Sequence, residues 1–228
     1  MPKRRTLKLA TFNVNGINTR LANLLSWLEE AKPDVVALQE LKATDGAFPV
    51  QALEVAGYGA IWHGQQSWNG VVVAGLYLPN GNPQPGPKFD YKLAWMKRLE
   101  QHAKTLVALP HPVALMGDFN VIPTDLDVYD PKSWKKNALI QPESREAFGR
   151  LVGQGWTDAV REAFGEERIY TFWDHFRQHA ERDRGLRIDH ILLNPVLAEG
   201  LVEAGVDQWV RLEERASDHA PTWVTVRV

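Results

Sequence analysis

Three motifs of this 228-residue sequence carry acidic side chains, two of them just beyond apolar runs. Gln39-Glu40 follows Val35-Val36-Ala37-Leu38, Gly117-Asp118-Phe119-Asn120 follows Val113-Ala114-Leu115-Met116, and Ser217-Asp218-His219 lies near the end of the chain. If the runs are buried strands ending on one side of a sheet, carboxylates remote in sequence converge there, and such a cluster needs a cation. The chemistry expected of it is divalent-metal chemistry on phosphate.

Each motif also has a plainer reading. Glu40 alone could be an ordinary acid at a strand end. In Gly117-Asp118-Phe119-Asn120 the glycine permits a tight bend and two acceptors stand two residues apart, yet Asp-x-Asn in a turn can simply bond its own backbone. Asp189-His190 and Asp218-His219 each set an imidazole beside a carboxylate, which fixes the tautomer and raises basicity. His190 precedes Ile191-Leu192-Leu193 and reads as a packed residue, so His219, expected in an exposed loop before Ala220-Pro221, is the functional candidate. Tyr77 ends an apolar run before Leu78-Pro79-Asn80-Gly81; its phenol could be buried or could bond a phosphate oxygen. The segment Tyr170 to Arg177 interleaves aromatic rings with His175 and Arg177, a mixture suited to stacking on bases as well as to core packing.

Composition narrows the options. A net charge of -2 argues against a purely electrostatic nucleic-acid coat, although acidic metal ligands would offset basic residues around them. With no cysteine, any metal must be held by oxygen or imidazole, which favours Mg or Mn over structural Zn. Met1-Pro2-Lys3-Arg4-Arg5 leads straight into Leu7 to Phe12, too short an apolar run for a signal segment or a span, so a cytoplasmic protein without a membrane partner is expected. No linker divides the chain, and one domain over 1–228 is expected.

Elements must position these groups. Residues 7 to 12 read as a strand, and Leu21, Leu24, Leu25 and Leu28 carry a helical stripe closed by Lys32-Pro33, before a strand at 35 to 39. A second helix runs through Phe89, Leu93, Met96 and Leu99 into a strand at 113 to 116. Tyr58 to Trp62 and Val71 to Leu78 are rich in strand formers. Residues 129 to 142 read as a long connection and Glu143 to Val152 as a short helix. Late strands are expected at 188 to 193, 205 to 210 and 222 to 227. Helices covering a layered β core follow from this pattern.

Seven motifs in order resemble the exonuclease III family, which contains AP endonucleases and exodeoxyribonuclease III, within the endonuclease/exonuclease/phosphatase superfamily. They are Thr11-Phe12-Asn13-Val14-Asn15-Gly16-Ile17, Leu38-Gln39-Glu40, Trp68-Asn69-Gly70-Val71, Tyr77-Leu78-Pro79-Asn80-Gly81, Gly117-Asp118-Phe119-Asn120, Arg187-Ile188-Asp189-His190 and Ser217-Asp218-His219-Ala220-Pro221. The resemblance implies a four-layer α/β sandwich of two facing, mostly antiparallel sheets flanked by helices. It implies a Mg2+-dependent monomer, with Mn2+ a possible substitute, that cuts double-stranded DNA 5' to abasic sites and trims 3' ends. Glu40 would be the principal metal ligand with Asn13 and Asp218 nearby, in a set that also includes Asp118, Asn120 and His219. Asp118 would activate water, Asn120 would orient it, Tyr77 and His219 would hold the phosphate, and Asp189 would orient His219. Asn15, Lys42, Trp134 and Arg177 would face DNA, while Phe172, Trp173, Leu186 and Ile188 would shape a pocket for a baseless sugar.

One departure stands out. Gly70-Val71 runs almost directly into Val72 to Tyr77, where the family inserts a further strand pair of about 30 residues by ordinary strand lengths. One sheet is therefore expected to lack strands. Two other readings remain open at this point: a phosphodiesterase or phosphatase acting on a small molecule, and a DNA-binding module whose catalysis is impaired.

Overall fold

The structure, a computed structural model, describes residues 5–61, 71–176 and 178–228. In chain order the elements are β1 (Thr6–Asn13), α1 (Leu21–Ala31), β2 (Val35–Gln39), α2 (Val50–Val55), β3 (Val72–Tyr77), α3 (Pro87–Val107), β4 (Val113–Asp118), α4 (Pro131–Trp134), α5 (Pro142–Val152), β5 (Thr157–Asp158), α6 (Ala159–Phe164), β6 (Asp189–Leu193), α7 (Pro195–Ala198), β7 (Leu201–Val206) and β8 (Thr222–Arg227).

The strands form two four-stranded sheets, ordered β2-β1-β8-β7 and β3-β4-β6-β5. In each sheet one pair is parallel, β1 with β2 and β3 with β4, and the remaining pairs are antiparallel. The mostly antiparallel sandwich expected from the sequence is therefore present. Among the described residues, β3 pairs with β4 alone.

Strand alternation divides the core into layers, because successive side chains leave opposite faces of a strand. Ala114 and Met116 of β4 meet Leu9, Ile191, Leu193, Val224 and Val226 between the sheets. Val113 and Leu115, on the other face of β4, pack on Met96, Leu99 and Ala103 of α3 and on Phe148 and Leu151 of α5. Ala10 and Phe12 of β1 point outward to Leu24, Trp27 and Leu28 of α1. The result is helix, sheet, sheet, helix.

Two strand expectations fail for local reasons. Residues 58–61 form no strand: the Tyr58 hydroxyl donates to the Pro33 carbonyl at 2.9 Å, and Tyr58 and Ala60 pack against the α1 cluster instead of joining a ladder. The strand expected at 205 to 210 is β7, ending at Val206, because the next residue turns out of the sheet. Asp207 accepts the indole N–H groups of Trp27 (2.7 Å) and Trp223 (2.9 Å), and a 3-10 turn over Gln208–Leu212 follows. Trp68 to Gly70 lie outside the described residues, as does Arg177.

At Gly117 the ladder between β3 and β4 leaves no room for a side chain. A Cβ there would sit 1.9 Å from the Leu76 carbonyl oxygen, its register partner across the parallel ladder. Backbone cannot rotate away as a side chain would, so Gly117→Ala should cost at least about 3 kcal/mol, the upper end of ordinary overpacking. Urea unfolding checks this through a lowered midpoint at unchanged slope.

Candidate active site

The strand directions decide what meets at the mouth of the sandwich. β1, β2, β3 and β4 end there, delivering Asn13, Glu40, Tyr77 and Asp118, while β6 starts there at Asp189 and the 217–219 segment enters β8. Asp118 and Asp189 are register partners across β4 and β6, so two buried carboxylates face each other by construction.

His219 lies against both. Its Nδ1 is 2.7 Å from Asp189 Oδ2 and its Nε2 is 3.8 Å from Asp118 Oδ2. Burial works against the imidazolium, but Asp189 and then Asp118 and Asp218 outweigh it and raise His219 to about 10. Burial likewise pushes Asp118 up, to about 7, against the opposing charge of His219. The expectation that His219 occupies an exposed loop is corrected here. It is 4% exposed, bridged in the backbone to Phe172, whose ring lies 5.0 Å away.

Amides fix the rest of Asp118. Asn13 Nδ2 and Asn120 Nδ2 both donate to Oδ2 at 3.1 Å, and the Asn120 backbone N–H donates to Oδ1 at 2.8 Å. Asn13 Nδ2 also donates to Glu40 Oε1 at 3.0 Å, coupling the two carboxylates through one carboxamide. Glu40 additionally bonds Lys42 Nζ at 2.8 Å and the Tyr77 hydroxyl; burial pushes its carboxyl upward, and these partners with Asn13 overcome that and lower it. Tyr77 is 45% exposed at the rim. Its phenol is shifted upward by burial and by Glu40 and Asp118, so it remains a proton donor. Asn15 donates to Asp218 Oδ1 at 2.9 Å and accepts from Lys42 Nζ at 2.5 Å. Asn15, Glu40, Lys42 and Asn120 all take left-handed backbone, which turns these side chains at abrupt bends after the strands.

The six residues grouped as metal ligands from the sequence do not form one cage. Among the described residues, no three carboxylate or imidazole side chains cluster so as to hold a cation. Asn120 Oδ1 is occupied by Asn80 Nδ2 at 3.0 Å and His219 Nδ1 by Asp189. Glu40, flanked by Asn13 and with Asp218 beyond Asn15, is the donor group nearest solvent. Asn13 turns its N–H groups to the carboxylates while its Oδ1 accepts the Asn15 backbone N–H at 3.0 Å, so carboxylate oxygens are the donors offered to Mg2+, which keeps waters and substrate oxygens in its shell.

The aromatic assignments divide. Phe172 is half-buried beside His219, and Leu186 pairs with it in an isolated bridge, so both stand next to the acid cluster. Leu186 and Ile188 are packed with Ile122, Val128 and Leu139, and Trp134 lies on the same cluster. Trp173 does not present its ring as a pocket wall. It is 2% exposed, packs with Tyr170 and Ala220, and spends its indole N–H on Asp183 at 3.1 Å. His190 is a packed residue as expected, with Nδ1 3.0 Å from Arg187 Nη1 and Nε2 3.1 Å from the Val121 carbonyl.

Several supporting groups stand in the quoted motifs and segments without a role assigned from sequence. Thr171 Oγ1 donates to Asp189 Oδ2 at 2.7 Å while accepting the backbone N–H groups of Ile188 and Asp189. Ser217 Oγ donates to the Asn13 carbonyl at 2.6 Å, tying the last motif to the first. Arg187, fully buried, bonds Asp127 and Asp158 at 2.7 Å each behind the site. A hydroxyl or guanidinium amid buried positions was the available signal for each.

A sandwich of two mixed sheets with buried acids, carboxamides and one imidazole at a single mouth defines a phosphoesterase-type α/β enzyme. Residues 10–219 match the Endonuclease/Exonuclease/phosphatase family, and the chain belongs to it. It is 31% identical to exodeoxyribonuclease III of Haemophilus influenzae, over 95% of this chain and 98% of that one. That alignment runs over 263 positions, so the relative carries stretches with no counterpart in these 228 residues. An AP endonuclease from Archaeoglobus fulgidus superposes with a TM-score of 0.91 at 31% identity, covering 97% of this chain and all of the other. A 3' phosphatase from Neisseria, solved with a product DNA hairpin, gives the same TM-score at 32% identity and the same coverage.

The His219 charge stabilises the fold fully below the ordinary value of 6.5 and fades as pH rises through about 10. In metal-free protein, NMR titration of the His219 ring should give a midpoint near 10, and Asp189→Asn should bring it back toward 6.5.

Proposed function

We infer that this chain is a DNA repair nuclease that hydrolyses phosphodiester bonds 5' to abasic sites and removes nucleotides or blocking groups from 3' ends of duplex DNA. The observation that carries this reading is the convergence of Asn13, Glu40, Asp118, Asp189 and His219 on one mouth of the sandwich, joined by hydrogen bonds and by the 3.8 Å approach of His219 Nε2 to Asp118 Oδ2. Its relatives include an exodeoxyribonuclease, an AP endonuclease and a 3' phosphatase, which share the task of cutting a P–O bond in DNA. We read it as a single-domain, cytoplasmic monomer. No helix of the described residues is long and apolar enough to cross a membrane.

The chain's own groups divide the reaction between them. Asp118, held near neutral by burial, accepts a proton from the attacking water, and the Asn120 amide on Asp118 Oδ2 sets the direction of that carboxylate. Asp189 takes up His219 Nδ1, which aims a protonated Nε2 into the mouth as a donor to a phosphoryl oxygen. The Tyr77 phenol, kept protonated, supplies a second donor from the rim. Glu40, with Asn13 and Asp218 beside it, would hold Mg2+, with Mn2+ as a substitute; the bound ion supplies Lewis-acid neutralisation of phosphoryl charge. Lys42, Asn15 and Phe172 border the mouth where the DNA backbone and the baseless sugar would lie.

The test is cleavage of a duplex carrying one abasic site, with Mg2+ and then with chelator. Wild-type protein should nick 5' to the site only when metal is present. Asp118→Asn should lower kcat by at least about 100-fold, the scale of a lost acid-base group, with little change in DNA affinity. Near-normal turnover in that variant would remove Asp118 from the mechanism, and cutting in chelator would remove the metal.

A further inference from the structure

α3 carries a lysine where its stripe of buried positions calls for an apolar residue. The helix buries Phe89, Lys92, Met96, Leu99 and Ala103, and Lys92 has no exposure at all. Its Nζ reaches past the core and donates to two backbone carbonyls, that of Asn80 at 3.1 Å and that of Asn120 at 2.5 Å. Asn80 belongs to the loop that follows β3 and Tyr77; Asn120 belongs to the loop that follows β4 and Asp118. The same loops are joined by Asn80 Nδ2 donating to Asn120 Oδ1 at 3.0 Å.

We propose that Lys92 is a positioning residue for hydrolysis, a buried clamp that holds the Asn80 and Asn120 loops in register so that the Asn120 amide aims Asp118 at the water. Three observations support it. Asn120 takes left-handed backbone, and in that bend its carbonyl meets Lys92 while its side-chain amide meets Asp118. Its carbonyl is fixed by Lys92, its amide by Leu78 O at 2.9 Å and Asp118 Oδ2 at 3.1 Å, so the clamp and the carboxylate share one residue. Gly81, at φ +90°, leaves the channel the side chain needs: a Cβ there would come within 2.7 Å of Lys92 Cδ and 3.2 Å of Ala138 Cβ. An amine keeps at least two N–H groups in either protonation form, so both bonds persist whichever form is present.

Removing the donors leaves the buried Asn120 carbonyl without its partner, releases the more exposed Asn80 carbonyl, and frees the Asn120 turn to relax. A displacement of about 1 Å at a catalytic carboxylate is enough to cost about 100-fold in rate. The inference rests on the nuclease reading for its kinetic consequence but not for its structural one. The experiment therefore compares Lys92→Met with Met96→Ala, one turn along the same buried face, which removes packing volume from the cluster holding Leu78, Phe119 and Val121 but no hydrogen bond to either loop. Amide hydrogen exchange at Asn120, followed by NMR without DNA or metal, should accelerate at least about tenfold in Lys92→Met and stay unchanged in Met96→Ala. On abasic duplex with Mg2+, Lys92→Met should lose about 100-fold in kcat with KM within about twofold, while Met96→Ala keeps its kcat after correction for folded fraction. If Lys92→Met does not fold, Gly81→Ala, which presses on the lysine from outside, should lower kcat in the same manner. Unchanged Asn120 exchange, or equal kcat losses in the Lys92 and Met96 variants, would overturn the clamp; an inert wild-type protein with the exchange difference intact would count against the nuclease reading alone.

Discussion

Two buried carboxylates, Asp118 and Asp189, face each other as register partners in adjacent strands, and the rest of the site follows from making that juxtaposition tolerable. Like charges in a low-dielectric interior cannot both persist without compensation. His219 provides it by lying against Asp189 on one nitrogen and toward Asp118 on the other, and carboxamides rather than carboxylates fill the neighbouring positions. Asn13 and Asn120 donate N–H groups to Asp118 without adding negative charge, which is why amides and not acids occupy those two turns. Thr171 and Ser217 complete the arrangement by fixing Asp189 and the 217–219 segment to the frame.

The frame makes this possible through direction. Parallel pairing of β1 with β2 and of β3 with β4 sends four chain ends to one mouth, and antiparallel β6 and β8 begin there. The tight β3–β4 approach at Gly117 then sets Tyr77 level with Asp118, its register partner. A residue with a side chain at 117 would separate the rim donor from the base it accompanies. Packing of the strands and placement of the chemistry are the same constraint at this point.

The groups legible in the sequence were those announced by a change of polarity at a strand end. Glu40 and Asp118 follow apolar runs, so their emergence at the mouth could be anticipated, and the match of seven motifs extended that to His219. Lys92 could not be found that way, because the stripe through Phe89, Leu93, Met96 and Leu99 was drawn with apolar residues alone. In the structure the buried register instead passes through 92, and a lysine in that phase was the available signal. Trp173 shows the opposite error: an aromatic beside cationic residues reads as a stacking surface, yet burial against Tyr170 and the bond to Asp183 commit it to the core. Local sequence reports polarity; it does not report which loop a long side chain will cross the core to reach.

Charge at the mouth also argues for what must arrive there. Glu40, Asp118, Asp189 and Asp218 gather at the mouth, where Lys42 and the His219 imidazolium touch them and Arg211 acts on Asp218. With Asp118 ionised, the form that can take a proton, these four carboxylates outnumber Lys42, His219 and Arg211. Arg187 does not correct the balance, since Asp127 and Asp158 already neutralise it behind the site. Lys92 is directed away from the opening, its nitrogen committed to two carbonyls. A divalent cation at Glu40 would reverse the sign of the local field, and it would do so at the half-buried rim where the substrate's own oxygens could share it. The excess of acid therefore calls for a cation, and the cation in turn lets an anionic substrate approach.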